Sequence, residues 1–209
     1  MRPRFRVLSD DEVRIKSFGI VQNAAWTRPP TWAEQRHSLF DPVIFGPEKD
    51  FCCICGKCKG EACEDWICDI CGVKVGKARL LRRRRFGHIC LGRQIPHPWF
   101  GTVMIRTIPV LPIGYRCDRG QSDLDYLYSR VILASRCSEE MLGPRCPVGG
   151  DPLVSAVQQL LENESTDNPV LFDKRLIRSL SYYCFEDPAR SFDDLAVYLT
   201  AMMLRVECG

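Results

Sequence analysis

Seven of the chain's 13 cysteines fall between Cys52 and Cys71, in the order Cys52-Cys53-Ile54-Cys55-Gly56-Lys57-Cys58, then Cys63, then Cys68-Asp69-Ile70-Cys71-Gly72. Two thiolates separated by two residues at a tight turn can share one cation, and a glycine just after them lets backbone amides approach the sulfurs without a side-chain clash. Cys68 and Cys71 fit that geometry. A second pair from the Cys52 to Cys58 run would complete a tetrahedral tetrathiolate, the arrangement zinc adopts in structural ribbons. Spacing alone allows Cys52 with Cys55, Cys53 with Cys55, or Cys55 with Cys58; symmetry with the downstream pair favours Cys52 and Cys55. Four thiolates leave no open position for water, so a zinc held this way stabilises a fold and hydrolyses nothing. An iron–sulfur cluster is the competing tetrathiolate, although its usual ligand runs differ, and a metal-free cysteine loop is the third reading. His88 and His97 lie too far downstream to be needed as ligands and are expected in the core or at the surface.

The second chemical feature follows directly. Lys74, Lys77, Arg79, Arg82, Arg83, Arg84 and Arg85 are seven basic residues with no acidic residue among them. Four consecutive arginines beside a rigid metal module would hold guanidinium groups toward phosphates, giving salt-sensitive binding with little base specificity. A solvated turn neutralised by a neighbouring acidic surface is the bland alternative. No His/Glu ligand set with an open position is visible, which argues against a zinc hydrolase.

These residues need a scaffold. The 209 residues, 45% hydrophobic and 26% charged, have an ordinary globular balance. The net charge of +3 hides an asymmetry: residues 1–120 hold 21 Lys+Arg against 12 Asp+Glu, or +9, and residues 121–209 hold 8 against 14, or −6. Two parts are therefore expected, a basic region over 1–120 with the cysteine module at 50–76, and an acidic, mostly helical part over 121–209. The longest mostly apolar stretch, Ala196 to Leu204, is far short of the roughly 20 residues a bilayer helix needs, and the basic N-terminus lacks an apolar signal core, so no membrane association and a cytoplasmic location are expected. That setting favours metal over disulfides, and the other six cysteines, at 90, 117, 137, 146, 184 and 208, read as buried or free thiols.

Ser9 with Glu12 is a capping box that starts a short helix near Asp10 and ends by Gly19. Residues 21–47 read as a loop pinned by Trp26, Trp32, Phe40 and Phe45. Residues 102–111 read as a strand stopped at Pro109 or Pro112. Leu124, Leu127, Tyr128, Val131 and Ile132 share one helical face. A loop with Gly143, Pro144, Pro147, Gly149 and Gly150 follows, and Asp151 with Pro152 opens another helix to about Asn163. Two more helices are expected, from about Asp173 to Tyr183 and from Ser191, boxed by Asp194, to Val206. The fold class is α+β: a zinc-ribbon-like module on a small mixed core, then a helical C-terminal part.

The run from Pro42 to Leu91, PVIFGPEKDFCCICGKCKG through WICDICGVKVGKARLLRRRRFGHICL, resembles the N-terminal zinc-binding region of the β′ subunit of bacterial RNA polymerase in shortened form. LSDDEVRIKSFG upstream, HPWF downstream, RTIPVLPIGYR, SDLDYLYSRVI and VSAVQQLLEN are similar to family segments in the family's own order, so the resemblance covers about residues 8–165. It implies zinc as the cofactor, with Cys53, Cys55, Cys68 and Cys71 as ligands in place of the symmetric pairing, Cys52 as a substitute, and Cys58 and Cys63 without a role. It places the family's basic segment on Arg82 to Arg85, near the nucleic-acid channel of the clamp. It also implies RNA polymerase subunits, the β chain first, and a DNA or RNA backbone as partners. Only about five residues separate Phe100 from Arg106, where the family inserts long clamp elements, including the coiled coil that docks sigma; sigma docking is not expected. No Asp-x-Asp-x-Asp run is present, so no catalytic residue is assigned and the chain is not expected to polymerise nucleotides alone. The other reading is a stand-alone zinc-binding paralogue that regulates transcription or binds nucleic acid outside the polymerase.

Overall fold

In the computed structural model, residues 4–116, 122–140, 151–187, 191 and 194–207 are described, without the side chains of 4, 137–140 and 207. Cys117, Cys146, Cys208, the Cys137 side chain and the expected loop at 143–150 lie outside them. The architecture is α+β. Strand β1 (Arg4–Val7) leads into helix α1 (Asp10–Lys16), which starts at Ser9 with the expected reciprocal capping box: the Glu12 N–H donates to Ser9 Oγ and the Ser9 N–H to the Glu12 carboxylate. β2 (Ser17–Ile20) follows at once. The loop beyond it ends in α2 (Pro42–Phe45), capped by the Asp41 carboxylate on Val43 N–H. Phe40 and Phe45 pin that loop as expected and Trp26 packs edge-on against Tyr126, but Trp32 is 41% exposed.

The cysteine module leads to α3 (Ala78–Arg84), then β3 (Phe86–Pro96) and β4 (Met104–Val110). β3 is the middle strand of a three-stranded sheet, parallel to β2 and antiparallel to β4. β4 is an edge strand, so it runs through Pro109 and ends before Pro112; the missing amide costs no ladder bond on the free side. The Tyr128 hydroxyl covers that edge, donating to Pro109 O and accepting from Leu111 N–H, each at 3.3 Å.

Helix α4 (Ile113–Arg116) is followed by α5 (Asp123–Glu140) and α6 (Pro152–Glu162). Leu124, Leu127, Tyr128, Val131 and Ile132 are all buried, and Asp151 caps α6 through Leu153 and Val154 N–H. Arg116 is fully buried: it pairs with Asp125, donates to the carbonyls of Leu111 and Leu39 at 2.8 and 2.7 Å, and lies over the Phe45 ring. One residue thus ties α2, the segment just after β4, and α5 together.

The C-terminal part departs from expectation twice. Residues 173–179 do not form a helix, and helical backbone starts only at Leu180. Instead β5 (Leu171–Phe172) and β6 (Arg175–Leu176) make a hairpin turned at Asp173 and Lys174, both with positive φ. The buried Asn163 amide holds it, donating to Val170 and Ile177 carbonyls and accepting from Val170 N–H. A short π-helical turn covers Tyr182–Glu186. The last helix, α7 (Leu195–Ala201), also stops early, and the chain turns at Met203 (φ 60) into β7 (Leu204–Glu207), antiparallel to β1. One apolar core runs from Val21 to Leu204, while the module keeps a separate small cluster of Cys53, Cys58, Cys68, Cys71, Val73 and Val75.

Candidate metal centre and the adjoining basic helix

Two similar turns build the centre. Gly56 N–H donates to Cys53 O at 3.2 Å and Gly72 N–H to Cys68 O at 2.8 Å; both glycines have positive φ, 80° and 72°, a conformation that L side chains resist. The turns bring together Cys53, Cys55, Cys68 and Cys71, whose sulfurs all lie within 4.8 Å of one another, and this group could hold a metal ion. Among the described residues it is the one such cluster of His, Cys, Asp or Glu donors. The symmetric pairing of Cys52 with Cys55 is not formed: Cys52 Sγ turns to Cys53 O at 3.4 Å, and Cys63 Sγ to Lys59 O at 3.6 Å. Cys58 supports the centre through its backbone, its N–H donating to Cys53 Sγ at 3.2 Å.

The donor set suits a tetrahedral cation. A zinc–sulfur bond of ~2.3 Å implies sulfur–sulfur edges of about 3.8 Å, and Cys53 to Cys55 and Cys55 to Cys68 are 3.5 and 3.6 Å apart. Electrostatics point the same way. Backbone N–H groups of Cys71 and Ile70 outweigh burial to bring the Cys68 thiol down to about 6. Burial raises the Cys53 thiol, yet the Cys58 N–H and the neighbouring thiols bring it below its ordinary value. At Cys55 the Lys57 N–H lowers the value, but burial and the adjacent sulfurs together carry it up to about 12. Sulfurs this close cannot all ionise unless a cation compensates them.

Arg82 to Arg85 adjoin the centre without converging on one surface. Arg85 turns inward, donating to Ile44 O at 2.9 Å and Val43 O at 2.8 Å, with its guanidinium 3.9 Å from the Phe18 ring centroid. Arg83 pairs with Asp194 at 3.3 Å and lies over Tyr115. Arg84 is exposed, and Arg82 lines a surface groove with Arg79, Arg83 and Gly114. Three basic residues close the helix, Arg82, Arg83 and Arg84, where its dipole favours cations.

The remaining polar candidates are structural. His97 is buried; its Nδ1 accepts from Trp99 N–H at 3.1 Å, so its Nε2 carries the proton donated to Met202 O at 3.2 Å. Burial lowers its pKa, and that of His88, whose Nδ1 lies 2.7 Å from Ser17 Oγ. The carboxylates of Asp123 and Asp125 diverge, the first to Arg175 and the second to Arg116. Arg85, expected with its neighbours to face phosphate, instead bonds the carbonyls of Val43 and Ile44, and the buried Arg116 escaped the sequence reading altogether; proximity to distant carbonyls has no local sequence signal.

A four-cysteine cluster that could hold a metal ion, joined to a basic helix on an α+β body, defines the class of module. The relatives make the class specific: they are DNA-directed RNA polymerase β′ subunits. The chain is 41% identical over 97 residues to that of Lactococcus lactis, 36% over 132 residues to that of Thermus thermophilus, and 33% over 138 residues to that of Bifidobacterium adolescentis. These matches cover 46%, 62% and 66% of this chain and 8%, 8% and 10% of the relatives, so the chain spans about a tenth of their length. No family model matches it. The chain is similar to the zinc-binding region of β′ in shortened form, and the cysteine cluster fits that region. No helix among the described residues is long and apolar enough to cross a membrane.

Proposed function

We propose that the chain is a β′-like component of DNA-directed RNA polymerase, acting in DNA-templated transcription in the cytoplasm as a zinc-stabilised clamp module. Zinc is held by Cys53, Cys55, Cys68 and Cys71, the β chain is the first partner, and a DNA or RNA backbone meets the basic helix. The observation that carries this reading is the four-sulfur convergence on the segment where the chain resembles β′. Its closed donor set gives the metal a structural task. Phosphate contacts fall to the outward-facing arginines, Arg82, Arg83 and Arg84 with Arg79, while Arg85 supports the fold. The division near residue 120 is one of charge: the basic part meets nucleic acid and the acidic part a protein neighbour or solvent. With Asp123 and Asp125 each committed to an arginine, nucleotidyl transfer belongs to partner chains.

A second reading, a stand-alone zinc-binding paralogue, is favoured by the tight link between β3 and β4. His97 N–H bonds Val103 O at 2.9 Å and Val103 N–H bonds Phe100 O at 2.7 Å, closing the place where the family carries its sigma-docking insertion. Native mass spectrometry of the chain purified from its host separates the readings. One zinc with a stoichiometric β chain supports the polymerase component; zinc without polymerase chains supports the paralogue; a chain free of metal contradicts both.

A further inference from the structure

The arginines at 79, 82 and 83 sit at i, i+3 and i+4 on α3 and therefore share one face. With Gly114 of α4 they line a groove of about 330 Å³. Gly114 is what makes the approach possible, since a Cβ there would lie 2.8 Å from Arg83 Cγ and 3.1 Å from Arg82 O. The rim on one side comes from the acidic C-terminal part. Asp194, just before α7, accepts from Ser191 Oγ at 2.7 Å and from Arg83 at 3.3 Å, and Arg83 lies over the Tyr115 ring. A hydroxyl and a guanidinium thus meet on one carboxylate. This is the set of donors a phosphate oxygen would use.

We propose that this groove is a phosphate-binding site and that Asp194 is an internal competitor occupying the position of the anion at Arg83. The inference rests on the nucleic-acid reading above and deepens it, because it names the residues that take the backbone phosphate and the acid that limits their affinity. The pair is partly open to solvent, Arg83 at 42% and Asp194 at 17% exposure, and a pair of this kind contributes little enough for phosphate to displace it. Arg83 would then leave Asp194 for the phosphate, while Arg79 and Arg82 contact the same or the adjacent group. Asp194 sits beyond residues 8–165, the segments that resemble β′.

The test measures binding of a short single-stranded oligonucleotide and of inorganic pyrophosphate to the full-length, metal-loaded protein over a salt series. Asp194→Asn should tighten oligonucleotide binding about two- to fivefold and steepen the logarithmic salt slope by roughly 0.7, the share of one further phosphate contact. Ser191→Ala, which loosens Asp194 without removing its charge, should change both in the same direction by less, and it serves if Asp194→Asn does not fold. Arg79→Ala with Arg82→Ala should weaken both. Tighter pyrophosphate binding with unchanged oligonucleotide binding would show a small phosphate compound as the ligand and overturn the backbone assignment. Weaker binding in the arginine variant with no gain in either acid-side variant would overturn the competitor role alone. Unchanged binding in the arginine variant would overturn the nucleic-acid reading itself.

Discussion

The backbone N–H of Ala78, at the first turn of α3, donates to the Asp50 carboxylate at 2.7 Å. Asp50 opens the cysteine module, and Phe51 N–H next to it bonds Gly76 O at 2.9 Å. Lys77, at the cap position of the helix, provides no side-chain cap, so the module supplies one from a distance and sets where the basic helix begins. Asp50→Ala should cost about 1 kcal/mol and speed amide exchange in the first turn of α3 while metal stays bound. Hydrogen exchange on the metal-loaded protein checks both.

The module's own core is mostly sulfur: four cysteines, Val73 and Val75. With Val43, Phe51 and Ile54 packed beside it, this remains a small core for a fold of this length, and on the proposed reading the metal supplies the rest of its stability. Cys71→Ser should release the metal and unfold residues 50–76, forfeiting stabilisation on the order of 10 kcal/mol, with the main core still giving a cooperative melt. Cys52→Ser and Cys63→Ser should keep the metal, since neither sulfur joins the cluster. Metal analysis and circular dichroism of the three variants distinguish these outcomes.

Neighbouring arginines should behave oppositely. Arg85→Ala removes two bonds to α2 carbonyls and the stack on Phe18, and should destabilise the protein by about 2–4 kcal/mol. Arg84→Ala, on the surface, should stay within about 0.5 kcal/mol yet weaken oligonucleotide binding. Replacing all four arginines together would therefore mix a folding defect with a binding defect. Denaturant titration beside binding assays separates them.

Acid should destabilise the protein in two stages. His97 and His88 have pKa values lowered by burial, so the unfolded chain binds more protons below its own value near 6.5. Their contribution is complete above that pH and is lost as pH falls through the folded values. Glu12, held to about 2 by Arg6, adds stability above about 4.5 that disappears on further acidification toward 2. His97→Gln can keep the bond to Met202 O, and should reduce the first stage to the share of His88 and leave the second. Melting temperature against pH, measured on metal-loaded protein, reads both.

Much of this was legible locally. The Ser9 capping box, the Asp151-Pro152 start and the apolar face from Leu124 to Ile132 are short-range signals, and each formed as read. The centre was half legible: Cys68 and Cys71 followed from spacing, but the upstream pair depended on the turn that Gly56 closes on Cys53, which symmetry alone misassigns. The misread segments share a cause. Leu176, Ile177 and Leu180 suggest a helix, but a buried Asn163 draws residues 170–177 into a hairpin; the α7 pattern continues past Ala201, but β1 claims Leu204 to Glu207 as a strand. In both places a partner distant in sequence outweighs local propensity.

Extended X-ray absorption at the zinc edge, on the unoxidised full-length protein, bears most directly on the metal centre. One zinc per chain with four sulfur neighbours at about 2.3 Å is the expected result. A chain without zinc, or zinc bound by nitrogen or oxygen in place of any of the four sulfurs, would contradict it.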